Sequence, residues 1–323
     1  MPKKKVPTRV ELFDNVYKHL SLGHNTYNNF KYLGCFPAPK HPMKVNCDAV
    51  FNSLNRYNID LKWFIDNSAD LVVAKNTIPT LDASVRKMDF KPSYEFLNCP
   101  LFLPAVEIVS QKFSEPLTQP PMSIPEALEA IDLTKASGYL YKISGYKKKS
   151  QVYLSGMWLD CLSEDVLHEI PIWNACGKEK EFLLRDDFIG KKKQRTFIVE
   201  PFELLLHHKI IYGHQAEAMK NYYWSCYGFN PYEGGVNNMA KKLLKHKRFC
   251  MFDVIRYDRR FPHMKYVFQI KNSHLGYSPF KEWVTYHCVN SYVVLPNGDF
   301  IFKTWGNNSG SGSTTLDNII GMA

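Results

Sequence analysis

No stretch of this 323-residue chain is apolar for long enough to span a bilayer, and charge follows Met1 where a secretory leader would carry its hydrophobic core. Any association with a membrane is therefore expected to come through partners or surface charge. Closely spaced cysteines are missing too: of eight, the nearest two, Cys35 and Cys47, stand twelve positions apart. That pattern leaves no CxxC knuckle and no ladder of disulfides, and reads as reduced thiols in a cytosolic protein. The histidines offer no metal-ligand spacing either. His207 and His208 are neighbours that point apart on a helix, so no structural zinc is expected. Acidic residues are in deficit, with 31 Asp+Glu against 41 Lys+Arg and a formal charge of +10, which favours a polyanionic partner.

What is present is enough for a substantial core. With 45% hydrophobic and 14% aromatic residues the chain can bury one large core or two ordinary ones. Its basic residues are bunched at Lys3 to Lys5, at Lys147, Lys148 and Lys149, at Lys191, Lys192 and Lys193, and between Lys241 and Arg248. Any one such cluster by itself reads as a solvated face. Residues 1–112 mix aromatics and prolines without a repeat, with a helix placed over 46–64. A Pro-rich connector then ends in Ser123-Ile124-Pro125-Glu126, a capping-box pattern that starts a short helix toward Ile131. Residues 202–224 read as helix broken near Gly213, and 236–247 as an amphipathic helix, both flanking a sheet. Asn297-Gly298 between two apolar runs predicts a hairpin. It leads into a glycine-rich loop over 306–312, which opens a helix at Thr314 or Thr315.

The chemistry concentrates in two places. The apolar run over 249–252 fits a buried strand that delivers Asp253 to its end, with Asp258 five positions on. Two acids at that spacing are a weak signal by themselves and read equally well as solvated residues at a strand end. The second motif, Ser309-Gly310 with Thr314 and Asn318, sharpens it. Four residue types at fixed offsets arise by accident in on the order of one in several hundred chains of this length. Strand, carboxylates, helix, hairpin, flexible loop and helix then follow in an order that suits nucleotidyl transfer.

These residues resemble viral RNA-dependent RNA polymerases of the picornavirus-like supergroup, most closely those of astroviruses. The run from Ile131 to Tyr139, with Ser137 and Gly138, looks like the template-entry motif G. Lys191-Lys192-Lys193-Gln194-Arg195-Thr196-Phe197 is similar to motif F, Asp253 to Asp258 to motif A, and Ser309 to Asn318 to motif B. The resemblance implies an α+β right-hand polymerase: an N-terminal extension and index-finger region over 1–130, fingers over 131–200, and the first part of an antiparallel palm over 201–323, with a fingers insertion at about 265–306.

By the same resemblance Asp253 is a catalytic metal ligand, for Mg²⁺ or Mn²⁺, since hard oxygen donors and phosphates suit these ions. Asp258 senses the ribose 2′-hydroxyl together with Ser309 and Asn318, while Gly310 and Thr314 belong to the same substrate-binding loop. Lys193 and Arg195 neutralise the triphosphate, the arginine through its fork of donors. Ser137, Gly138, Lys147, Lys148, Lys149, Lys191 and Lys192 contact RNA. The implied partners are template and nascent RNA, nucleoside triphosphates and other viral replication proteins, with a genome-linked protein primer as one option. The implied place is the host cytoplasm, at membrane-associated replication complexes.

Two departures stand out. No acidic pair follows motif B before Ala323, so motif C and the thumb are expected outside these residues, and the fragment by itself is expected to be inactive. Arg259 and Arg260 place bulky cations directly after Asp258. Asp186-Asp187 precedes motif F and reads as a surface pair, and Gly298-Asp299 as part of the hairpin turn. The rival readings are a non-catalytic RNA-binding module and a reverse transcriptase or another palm-domain nucleotidyl transferase.

Overall fold

The computed structural model describes residues 8–23, 25–38, 71–73, 81, 84–89, 93–177, 182–184, 196–220, 222, 225, 227–248, 254, 257, 261 and 263–323. The helix expected over 46–64, the strand over 249–252, Asp186-Asp187, Lys191 to Arg195, Asp253 and Asp258 to Arg260 lie outside the described residues.

Five strands form one sheet. In chain order the strands are β1 (Lys31–Cys35), β2 (Leu71–Val73), β3 (Ile172–Gly177), β4 (Phe182–Leu184), β5 (Thr196–Val199), β6 (Ser291–Val294) and β7 (Asp299–Lys303). The sheet order is β1-β7-β6-β3-β5, with β2 and β4 forming a separate two-stranded ribbon. All pairs in the larger sheet are antiparallel except β3 with β6. Residues 31–35 of the N-terminal region therefore contribute an edge strand to this sheet. The expected antiparallel palm sheet would include 249–252, which lie outside the described residues; the five-stranded sheet is built from residues 31–35, 172–177, 196–199, 291–294 and 299–303, and its one parallel pair is possible because a long, largely helical stretch of chain separates β3 from β6.

The hairpin forms where Asn297-Gly298 predicts it. Gly298 has φ 96°, and Leu295 N donates to Asp299 O at 2.8 Å. Asp299 is a structural acid, as its turn position implies: its Oδ2 accepts from Asn25 at 2.5 Å, from Asn297 at 2.8 Å and from the Tyr27 hydroxyl.

Eleven α-helices lie among the described residues: α1 (Arg9–Tyr17), α2 (Phe102–Lys112), α3 (Ser114–Leu117), α4 (Ile124–Glu129), α5 (Tyr139–Ile143), α6 (Lys149–Leu154), α7 (Phe202–Met219), α8 (Val236–Leu243), α9 (Met264–Asn272), α10 (Pro279–Val289) and α11 (Thr314–Met322). Helix α4 starts in the expected capping box, with Ser123 N donating to Glu126 Oε2 at 2.7 Å. Helix α7 is buried nearly all round, including its polar residues Glu203, His207, His208 and Gln215.

Helix α7 is not broken at Gly213. It runs unbroken to Met219, and the glycine is there because a Cβ would collide with the Met122 side chain. The breaker reading failed because tertiary contact favoured the small residue. Leu204, Ile211, Tyr212 and Met219 of α7 share a core cluster with Trp173, Ile198, Val293 and Ile301 of the sheet, so this helix does flank it. Helix α8 has no buried residue, although its sequence is amphipathic as expected.

Helix α10 closes the main core, and on it His287 is buried, with its Nδ1 lacking a hydrogen-bond partner among the described residues. Burial pushes this imidazole down to about 4. A depressed basic group contributes stability that is complete above its unfolded value near 6.5 and is lost as pH falls toward 4. Unfolding free energy should accordingly drop by about 2 to 3 kcal/mol between pH 7.5 and 4.5 on account of this group. His287→Phe should flatten that part of the profile in urea titrations; an unchanged slope would show that the ring does not govern it.

Candidate functional site

The glycine-rich loop between β7 and α11 is fixed on one side and open on the other. Its base is held by Lys303, whose Nζ donates to the carbonyls of Trp305 at 2.7 Å and Gly306 at 3.1 Å. Burial pushes this ammonium down to about 7. Further along, Gly310 pairs with Val199 in a parallel bridge to the end of β5, and a Cβ at Gly310 would collide with the Ile198 carbonyl oxygen. Only glycine permits that approach. The Gly312 amide donates to Glu200 Oε2 at 2.6 Å, so the residue just after β5 holds the loop a second time.

Beneath the loop runs a buried polar chain. Glu200 Oε1 lies 2.9 Å from His208 Nδ1, and His208 Nε2 lies 2.6 Å from Ser313 Oγ. Ser313 Oγ is 2.9 Å from each oxygen of Asp317 and accepts from Lys271 Nζ at 2.8 Å. Lys271 Nζ also meets Asp317 Oδ1 at 2.7 Å, with side chains 0% and 1% exposed. The ammonium lies 4.0 Å from the Tyr212 ring centroid and 4.2 Å from that of Phe268, so aromatic faces complete its surroundings. Five side chains from the end of β5 and from α7, α9 and α11 thus form one charged network sealed from water.

The open side is a cleft of about 220 Å³ lined by Ser309 and Ser311 of the loop, Thr314 and Thr315 of α11, and Ala216 and Tyr227. Ser309 is exposed on its rim. The Thr314 hydroxyl is turned inward, donating to Asn308 O at 2.9 Å. Asn318 accepts from Asn307 Nδ2 at 2.9 Å, and its carbonyl lies 3.5 Å from the Tyr257 hydroxyl. Ser309 and Thr314 therefore share the cleft and Gly310 seats the loop against the strand that follows Arg195, whereas Asn318 is bonded to Asn307 and Tyr257 and does not line the cleft.

The residues of the motif G resemblance are placed differently from one another. Ser137 is fully buried, its hydroxyl donating to the Tyr146 carbonyl and its own carbonyl accepting from Phe202 N at 3.2 Å. Gly138 has φ 108°, and the close approach that it permits is to Pro201. Both residues thus have packing tasks. Lys147 and Lys148 are exposed, whereas Lys149 is buried and burial pulls its ammonium down.

Sequence reasoning missed the partners beneath the loop: Glu200, His208, Lys271 and Asp317. A lysine inside the apolar stretch of α9 and an acid just before Asn318 are the signals that could have paired them. His207 and His208 do point apart, His207 Nε2 going to the Cys161 carbonyl at 2.6 Å. Yet His208 does meet other possible ligands, since Glu200, His208 and Cys288 bring their donor atoms within 4.8 Å of one another. Sequence spacing could not reveal that group, because its members come from three separate elements.

A family model described as viral RNA-dependent RNA polymerase matches residues 102–321, more than half of the chain. The chain belongs to that family. It is 36% identical over 101 residues to the non-structural polyprotein 1AB of human astrovirus-4, covering 28% of this chain and 7% of that polyprotein. It is 27% identical over 163 residues to the genome polyprotein of pea seed-borne mosaic virus, covering 46% of this chain and 5% of that one. Among solved structures, the Sicinivirus 3Dpol RNA-dependent RNA polymerase superposes with a TM-score of 0.65 at 17% identity, covering 90% of this chain and 65% of that one. The fold is accordingly α+β, of the fingers-and-palm type. The chain spans less than a tenth of the length of these polyproteins and 65% of that polymerase.

Removing Lys271 while keeping Asp317 would leave a bare buried carboxylate. Lys271→Met should cost about 3–5 kcal/mol, read as a lowered urea midpoint. The double variant with Asp317→Leu should recover most of that loss. Equal losses in the two variants would show that the charge pair is not what stabilises the loop's floor.

Proposed function

We propose that these residues form the fingers and the first part of the palm of a viral RNA-directed RNA polymerase, acting in genome replication and transcription by template-directed ribonucleotide transfer. The observation that carries this reading is the seam between β5 and the Ser309–Ser313 loop, the Val199–Gly310 bridge and the Gly312–Glu200 bond. It brings the chain that follows the basic motif against a hydroxyl-lined cleft, which suits a triphosphate on one side and a sugar on the other.

Within this reading Lys193 and Arg195 neutralise phosphate oxygens, and Asp258, Ser309 and Asn318 read the ribose 2′-hydroxyl. Lys147 and Lys148 are exposed and suited to RNA phosphates, and Lys191 and Lys192, next to Lys193 in sequence, take the same role. Asp253 would hold Mg²⁺ or Mn²⁺, to which its oxygen donors are matched; the mixed oxygen, nitrogen and sulfur donors of Glu200, His208 and Cys288 are not. When bound, a pair of such ions activates the attacking 3′-hydroxyl and offsets charge on the departing pyrophosphate. The second acidic pair, of motif C, would come from chain outside these residues. The proposed setting is the host cytoplasm at membrane-associated complexes with other viral replication proteins. No helix among the described residues is long and apolar enough to cross a membrane.

The test uses a polymerase in which these residues are joined to motif C. Asp253→Asn should lower ribonucleotide incorporation at least about 100-fold. Unchanged incorporation would sink the proposal and favour RNA binding without catalysis. Asp258→Ala should lower the preference for ribonucleotides over deoxyribonucleotides by about 10- to 100-fold, the loss of one hydrogen bond to a charged acceptor. An unmutated enzyme that uses both sugars equally would remove the ribose-sensing role. Lys147→Ala and Lys148→Ala should each weaken RNA binding regardless of sequence and shallow its salt slope by about one.

A further inference from the structure

Counting protons along the buried chain leaves one positive charge to be found. Ser313 Oγ carries a single hydrogen, directed at Asp317, and it accepts from Lys271 Nζ. His208 Nε2, 2.6 Å from that oxygen, must therefore be the N–H donor. The other ring nitrogen, Nδ1, then faces Glu200 Oε1 at 2.9 Å. A lone pair against a carboxylate oxygen is repulsive, so either a second proton or a metal ion belongs between them. Cys288 Sγ lies 3.7 Å from the same Nδ1, and all three residues are buried.

We propose that Glu200, His208 and Cys288 bind a zinc ion, a structural site separate from nucleotide chemistry. A carboxylate oxygen, an imidazole nitrogen and a thiolate form a donor set that zinc takes and Mg²⁺ does not. Thiolate and carboxylate together cancel the charge of a divalent ion, so the filled site is neutral in a region closed to water. The 3.7 Å between nitrogen and sulfur is close to the separation of two ligands on a tetrahedral zinc, about 3.5 Å. The 2.9 Å between nitrogen and oxygen has to open by about 0.4 Å.

The outer contacts that orient zinc ligands are in place as well. His208 gives its remaining N–H to Ser313, itself bonded to Asp317, and the second oxygen of Glu200 accepts from the Gly312 amide. The ion would tie the end of β5, α7 and α10 to one another and, through Gly312 and Ser313, to the loop above. The fourth position falls to the second oxygen of Glu200, which keeps the Gly312 amide as its hydrogen-bond donor.

The test does not depend on the polymerase reading, because metal content is measured without nucleotide incorporation. The 323-residue chain, grown with zinc and desalted, should retain about one zinc per chain by plasma mass spectrometry. Cys288→Ser should weaken zinc binding at least about 100-fold in competition with a chromophoric chelator, whereas Cys99→Ser, at an exposed cysteine, should leave it unchanged. Cobalt loaded into the unmutated chain should show a thiolate-to-metal charge-transfer band, which decides the matter even if Cys288→Ser does not fold. A folded, unmutated chain that holds no zinc and takes up none overturns the proposal, as does full zinc content in Cys288→Ser. So does an NMR spectrum of the unmutated chain with both His208 ring nitrogens protonated, since the missing charge is then a proton.

Discussion

The ion pair between Lys271 and Asp317 is the constraint on which the loop and its surroundings depend. Neither charge has water to fall back on, so each must keep its partner, and the helices that carry them, α9 and α11, cannot part without exposing a bare charge to a low-dielectric interior. Ser313 sits between the two and passes the constraint to His208 on α7, and His208 passes it to Glu200 at the end of β5. Four elements, of which β5 and α7 are neighbours in sequence and α9 and α11 lie farther along the chain, are thereby held in one arrangement by groups that tolerate little displacement.

The loop gains a rigid floor from this arrangement and keeps a soluble rim. Gly310 and Gly312 are seated against the Ile198 carbonyl and the Glu200 carboxylate, while Ser309 and Thr315 remain exposed. A binding cleft needs this division. The fixed side sets where hydroxyl groups stand, and the open side leaves room for a ligand. Lys303 adds to the fixed side by pinning two carbonyls at the loop's base.

Much of this region was legible in the sequence because its determinants are local. An Asn-Gly pair fixes a hairpin, Ser123 and Glu126 close a capping box within one turn, and Ser309, Gly310, Thr314 and Asn318 lie within ten residues of one another. The floor was not legible, because its determinants are distant. Lys271 reads as one more lysine until Asp317 is folded against it, and Glu200 and Cys288 share no spacing with His208. Gly213 shows the same limit from the other side: by local rules it ends a helix, yet the Met122 side chain packed against it favours a small residue within one. Helix α8 shows a third case, in which an amphipathic pattern was read correctly but no described residue of it is buried.

A leucine pair in place of Lys271 and Asp317 could fill the same volume and, on general grounds, need not be less stable. It could not do what the charges do to Ser313. An ammonium that donates and a carboxylate that accepts fix which way the serine hydroxyl points, and hence which face of its oxygen meets His208. With apolar neighbours the hydroxyl would be free to turn, and the orientation of His208 and Glu200 would no longer be transmitted to the Gly312 amide. The charges therefore account for the direction of the bonds beneath the loop, more than for the stability of the core.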